Sequence, residues 1–114
     1  MPSSLDGLGI LRAWQRDNTS LTIFTLNLPG FTYGRFNSTV LSVGPTGRIV
    51  VDLPGSVPPS SSALDLTEAE FTLIEADSIP EDFPILHMGI DGYERFLSAK
   101  CADGAFAIFG ERTL

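Results

Sequence analysis

The only histidine in the chain, His87, is followed closely by two carboxylates, Asp91 and Glu94. An imidazole changes its charge near neutral pH, so a histidine beside a carboxylate can act as a general base or hold a ligand by hydrogen bonds. Catalytic groups are recognised by their arrangement in space, which spacing along the chain does not establish. We therefore take His87, Asp91 and Glu94 as candidate ligand-binding residues and assign no catalytic residue.

A nucleophilic pair of Cys101 with His87 is the catalytic alternative. Cys101 is the only cysteine, so the chain can form neither an internal disulfide nor a zinc site built from several thiolates. A lone cysteine is more often a small apolar core residue, and His87 lies in residues 84–89, an apolar run typical of a buried strand. The sequence thus favours a domain that is not an enzyme and that holds no cofactor.

The acidic residues are concentrated in the middle of the chain. Residues 1–48 carry four arginines against two aspartates, whereas residues 49–94 carry ten acids and no lysine or arginine, and the formal net charge is −7. Such a field repels nucleic-acid phosphates and anionic membranes and favours a basic partner. The alternative, which the sequence favours, is a solvated face that keeps the protein soluble. The ten acids are Asp52, Asp65, Glu68, Glu70, Glu75, Asp77, Glu81, Asp82, Asp91 and Glu94.

The acids between residues 77 and 94 also raise the question of a divalent metal, because Ca²⁺ and Mg²⁺ prefer several converging oxygen ligands. The order of residues 77–82 lacks the alternate acids, central glycine and closing glutamate of an EF-hand loop. A metal site would therefore have to be assembled by folding from separate loops. The sequence names no metal ligand.

Two segments predict strands directly. Residues 21–28 are rich in β-branched and aromatic types and end at Pro29-Gly30, a turn sequence. Residues 39–43 and 48–53 flank Gly-Pro-Thr-Gly, which predicts a hairpin. Alternation places one set of hairpin residues in the core, namely Leu41, Val43, Ile49, Val51 and Leu53.

Three other segments are ambiguous between helix and strand. The apolar residues at positions 5–14 have helical spacing, but two glycines make a strand from Gly9 equally acceptable. Residues 67–76 fit a short helix with Thr67 as its cap, although they also have strand composition. Residues 93–102 fit either a helix or, as we prefer, one strand of a hairpin that pairs Cys101 with Phe106.

Together these patterns predict one domain over residues 1–114, with an exposed proline- and serine-rich loop at 54–62. We expect a mainly β fold, a small antiparallel barrel or sandwich with at most one or two short helices, and α+β as the alternative. No stretch approaches the roughly 20 apolar residues of a membrane helix, and the N-terminus lacks the pattern of a signal peptide. The sequence therefore predicts a cytoplasmic protein that binds neither membrane nor nucleic acid.

For function, the sequence favours a non-catalytic protein-binding or self-assembly module with an acidic surface. Sheet edges promote pairing between copies, and the scarcity of lysine removes a common protection against it, so a homodimer is an expectation. The alternatives are a small enzyme or ligand-binding domain that uses His87 with nearby carboxylates, and a divalent-metal site in the acidic segment.

Overall fold

The computed structural model describes residues 6–27, 32–53, 60–75, 77, 79, 92–101 and 104–112. Their strands form two antiparallel sheets, a five-stranded sheet in the order β2-β1-β8-β7-β6 and a three-stranded sheet in the order β3-β4-β5. This mainly β, sandwich-like arrangement confirms the predicted fold class. The elements are α1 (Gly7–Asp17), β1 (Leu21–Asn27), β2 (Thr32–Ser38), β3 (Val40–Val43), β4 (Arg48–Leu53), β5 (Ser60–Asp65), β6 (Glu70–Glu75), β7 (Tyr93–Lys100) and β8 (Ala105–Arg112).

The N-terminal segment is a helix, in agreement with its apolar spacing. Asp6 caps it, since its Oδ1 accepts a hydrogen bond of 2.9 Å from the amide of Gly9. Asn18 ends it in the left-handed conformation, with φ 52° and ψ 45°. Leu11 and Trp14 are buried on one face. Packing and capping therefore outweigh the cost of glycine in a helix.

Gly7 is required by the way in which α1 meets the five-stranded sheet. A Cβ atom at this position would overlap the ring of Phe71 on β6. The glycine that lowers helix propensity therefore lets the first turn of the helix lie directly on the last strand of the sheet.

The three central strands of the five-stranded sheet, β1, β8 and β7, are buried on both faces. One face packs against α1 and the three-stranded sheet, and the opposite face forms a second apolar cluster against which Ile79 packs. Strands buried on both sides read as continuous apolar runs, which explains the composition of β1 and β8. The second cluster contains Phe24, Leu26, Ile74, Tyr93, Phe96 and Ile108.

A β-bulge in β3 corrects the predicted core of the first hairpin. The strands and the turn form as expected, with the amide of Gly47 donating to the carbonyl of Gly44. The register shifts between Val40 and Ser42, so Leu41 is an extra residue and is 47% exposed, whereas Val40 is buried. Alternation alone placed Leu41 in the core, because an inserted residue reverses the faces beyond it.

A second bulge lies in β7, between Tyr93 and Arg95. It makes Glu94 an extra residue and brings Tyr93 and Phe96, three positions apart, onto the same face of the sheet. Their ring centroids are 5.1 Å apart. A regular strand would have placed them on opposite faces.

The hairpin of β7 and β8 confirms the strand interpretation of residues 93–102, with a register one residue different from the prediction. Lys100, rather than Cys101, pairs with Phe106. The amide of Cys101 donates to the carbonyl of Ala105 over 2.8 Å, and Gly104 has φ +90°. Three residues lie between Cys101 and Ala105, in place of a two-residue turn, and the left-handed glycine is typical of that longer turn.

The helix expected in residues 67–76 is absent from the part that the structure describes, and β6 takes its place. Thr67 does not cap a helix, because its amide and hydroxyl both donate to Asp65, over 3.0 and 2.6 Å. A helix of about ten residues is marginal in isolation, whereas pairing with β7 adds a strand to an existing sheet. Of the loop predicted at 54–62, residues 54–59 lie outside the described residues, and the last three serines belong to β5.

Glu111 of β8 ties α1 to the sheet through both carboxylate oxygens. Oε2 accepts a hydrogen bond of 3.0 Å from Trp14 Nε1, and Oε1 accepts one of 2.8 Å from Arg95 Nε. The Glu111 side chain is only 18% exposed and that of Arg95 is 37% exposed. Charge-assisted bonds at such a site are stronger than neutral ones, so this carboxylate fixes the helix, β8 and β7 relative to one another.

Replacing Glu111 with glutamine should destabilise the protein by about 1–3 kcal/mol. Glutamine has one side-chain oxygen, so its amide group would face a donor, either Trp14 Nε1 or Arg95 Nε. Chemical denaturation measures the loss. In a Trp14→Phe background the same Glu111→Gln change should cost less, because the amide then meets no opposing donor. Equal costs in the two backgrounds would show that the tie does not exist.

Candidate functional site

The residues taken from the sequence as a candidate ligand site are not assembled by the described structure. His87 and Asp91 lie outside the described residues. Glu94 is described, and it is the exposed extra residue of the β7 bulge. The interpretation of these three residues as a ligand site stays a prediction.

The acids of residues 49–94 are dispersed over several elements. Among the described residues, no group of three or more acids, histidines or cysteines is arranged to hold a metal ion. Three of the acids on strands stand directly opposite basic residues from outside the acidic segment. These register pairs are Asp65 with Arg48, Glu70 with Lys100 and Glu75 with Arg95. The fold thus places three carboxylates of the acidic segment opposite basic residues from the rest of the chain.

The first candidate surface is the outer edge of β6. This strand pairs with β7 on one side, and no other strand of the described ranges pairs with it on the other. Its sequence, Glu-Phe-Thr-Leu-Ile-Glu, combines a β-prone centre with an exposed acid at each end, Glu70 and Glu75. Glu68 and Asp77, also exposed, flank the strand along the chain. The five-stranded sheet therefore ends on this side in an outer strand that has acidic residues at both ends.

The edge formed by β3 differs from that of β6 because the helix covers it and bonds to its backbone. Helix α1 lies against β3, and Gln15 Nε2 donates a hydrogen bond of 3.0 Å to the carbonyl of Leu41. A side chain thus occupies an acceptor that an added strand would need. No corresponding side-chain bond to the backbone of β6 is present among the described residues.

The entry of the chain into β6 is fixed by a turn after β5. Asp65 accepts the two hydrogen bonds from Thr67, Leu66 donates its amide to the carbonyl of Gly47 over 2.8 Å, and Glu68 has φ 60°. The hydrogen bond from the Thr67 hydroxyl, together with that from its amide and the charge of Arg48, lowers the pKa of Asp65 below its ordinary value of 3.8, against a smaller raising effect of desolvation.

The second candidate surface is a cleft of about 180 Å³ at the corner where the chain passes from β2 in one sheet to β3 in the other. The corner is held by two bonds to the backbone of Asp52. The Ser38 hydroxyl donates to its carbonyl over 2.6 Å, and its amide donates to the carbonyl of Thr39 over 3.0 Å. The cleft is lined by Ser20, Leu21, Asn37, Ser38, Thr39, Asp52 and Arg112.

Sequence reasoning missed both surfaces for identifiable reasons. β6 lies in a segment that the sequence leaves open between a short helix and a strand, although the composition of Phe71 to Ile74 favours a strand. The cleft joins residues from four distant segments, which are brought together by the pairing of β1 with β2 and β8 and by the bonds of Asp52 to Ser38 and Thr39. No local pattern in the sequence could signal that convergence.

Comparisons of the chain with protein-family models, curated proteins and solved structures find no match. Within the described residues, no helix has both the length and the apolar character needed to cross a membrane.

Replacing Asp65 with asparagine should lower the unfolding free energy at neutral pH, with a deficit that shrinks in acid. The native carboxyl has the lower pKa, so its stabilisation is fully present above pH 3.8 and is lost as the pH falls through the native pKa. Urea unfolding from about pH 7 to about pH 2.5 measures the difference. In a Thr67→Val background the effect of Asp65→Asn should be smaller. A deficit that is constant with pH would contradict the assignment.

Proposed function

We propose that the chain is a non-catalytic protein-binding module that accepts an extended, basic segment of a partner protein as an added strand along the outer edge of β6. The observation that carries the proposal is the acidic edge itself. β6 is the last strand of the five-stranded sheet in the described residues, and it has a carboxylate at each end. In strand addition, backbone hydrogen bonds provide affinity and side chains provide selectivity.

The rigidity of β6 supports this proposal. Phe71 packs against Gly7 of α1, and Ile74 belongs to the second apolar cluster, so both faces of the strand are anchored. Opposite charges across β6 and β7 also favour a single register. A strand that is already held in place loses little conformational entropy on binding, which improves affinity.

The charges of β6 favour a basic partner over a second copy of the chain. A two-fold antiparallel pair of β6 edges would bring Glu70 and Glu75 of both copies, four carboxylates, along one seam. Like charges gathered at such a seam repel each other and oppose the pairing. Lysine or arginine at the corresponding positions of a partner strand would instead complement both carboxylates. The acids thus provide the protection against self-pairing that lysine often provides elsewhere.

The proposal places the module in the cytoplasm, with a protein as its partner. The net charge of −7 disfavours contact with nucleic-acid phosphates and anionic membrane surfaces. The single cysteine is in keeping with a reducing compartment, where disulfides are rare.

A blocked hexapeptide with lysine at each end and valine and threonine between them is a suitable probe, because Glu70 and Glu75 are the first and last residues of β6 and lie on opposite faces. It should bind and increase the hydrogen-exchange protection of β6 amides, whereas the same peptide with glutamate at each end should not. The double variant Glu70→Gln/Glu75→Gln should bind the basic peptide about tenfold more weakly, corresponding to a loss of about 1.4 kcal/mol. Fluorescence anisotropy with a labelled peptide measures the affinity.

The matched control is Asp17→Lys, which changes the net charge by the same two units at one exposed site at the end of α1. Its affinity should stay within about twofold of the parent protein, because distant exposed charges are largely screened. Equal losses in the two variants, or protection that appears elsewhere than in β6, would overturn the proposal. Protection of β6 in the free protein together with a dimer in sedimentation would point to self-assembly instead.

A further inference from the structure

We propose that the corner cleft binds a small zwitterionic molecule, with its carboxylate on Arg112 and its ammonium group on Asp52. The cleft is built from residues that take no part in the β6 edge, so this inference is independent of the proposed peptide binding. Its basis is the presence of two opposite charges in one cleft that do not neutralise each other.

Asp52 presents a half-buried carboxylate whose position is set by its backbone. The bonds from the Ser38 hydroxyl and to the Thr39 carbonyl fix the residue on both sides of its Cα. In the described structure the Asp52 carboxylate forms no hydrogen bond or ion pair. Every fully buried side-chain oxygen or nitrogen of the described residues does have a hydrogen-bond partner, so the unbonded oxygens of Asp52 are not among the buried ones. Its oxygens are therefore open to solvent, in a site where partial burial makes a charged partner more valuable than on a flat surface.

Arg112 lies at the end of β8 on another wall of the cleft. Its amide donates a hydrogen bond of 3.1 Å to the carbonyl of Ser20, which fixes the strand end. The guanidinium makes no ion pair with Asp52, since no nitrogen–oxygen distance between them falls within 4.0 Å. The geometry keeps the two charges in the same cleft but apart.

Neutral donors complete the wall of the cleft. Asn37 accepts a hydrogen bond of 2.8 Å from the Thr22 hydroxyl through Oδ1, so its amide NH₂ group remains as a donor. The hydroxyls of Ser20 and Thr39 also line the cleft. A carboxylate on Arg112 therefore has further donors among the cleft residues, as buried or half-buried anions need.

The pair of charges selects the ligand class. A simple anion would leave Asp52 unpaired and would meet its repulsion, and a simple cation would meet Arg112 in the same way. A zwitterion satisfies both groups without adding net charge. The volume of about 180 Å³ is below the range of roughly 300–1,000 Å³ of drug-sized pockets, so the molecule must be small.

Two-dimensional NMR titration with glycine, 4-aminobutanoate and 6-aminohexanoate tests the proposal. We expect shifts at the amides of Ser20, Asn37, Thr39 and Arg112, with an optimum chain length that reports the separation of the two charges. Acetate and methylammonium at the same concentrations should bind at least about tenfold more weakly, because each can use only one charged partner.

Asp52→Asn and Arg112→Gln, which remove the charge and leave a polar side chain, should each weaken the best zwitterion by about tenfold or more. The matched controls Asp17→Asn and Arg12→Gln remove the same groups outside the cleft and should leave the affinity within about twofold. Melting temperatures identify any variant that fails to fold, and the comparison of zwitterions with singly charged probes on the parent protein needs no variant. Absence of shifts in the cleft, or equal binding of acetate and the zwitterions, would overturn the inference.

Discussion

The burial of the central strands of the five-stranded sheet on both faces is the constraint on which the rest of the structure depends. Because β1, β7 and β8 must supply apolar side chains to two clusters, little room remains on them for polar chemistry. The charged residues of these three strands are then confined to strand ends and the β7 bulge, and the outer strand β6 carries others. Both candidate surfaces obey this rule, since one is the edge of β6 and the other lies where β1, β2 and β8 begin or end.

Glu111 shows how the fold accommodates a carboxylate on a face that is otherwise apolar. Glu111 lies near the C-terminal end of β8, opposite Leu21 of β1 on one side and Arg95 of β7 on the other. Its two oxygens use one donor from the helix and one from the sheet, so partial burial leaves no oxygen without a partner. The helix that this bond anchors also supplies Gln15, which protects the β3 edge. By holding α1 in place, the Glu111 carboxylate therefore contributes to the protection of the β3 edge.

The overall fold class, β1 and both hairpins could be predicted from composition and turn residues, because these signals are local. The helix α1 was ambiguous because the reason for Gly7 is its contact with Phe71, a residue of β6. Leu41 was placed on the wrong face because nothing local distinguishes a bulged strand from a regular one. The cleft could not be predicted at all, since Asp52 and Arg112 meet only through the registers of both sheets.

The registers of the two sheets also determine which residues stand opposite the acids of residues 49–94. Along the chain, residues 49–94 have a single sign of charge, but Arg48, Arg95 and Lys100 lie just outside this range and stand opposite Asp65, Glu75 and Glu70. Antiparallel pairing therefore balances these carboxylates from the inner side and leaves the outer side of β6 without a matching cation in the described structure. A purely solubilising role would not require acids at both ends of an edge strand, and this placement is the reason to prefer a basic partner over a solvated face.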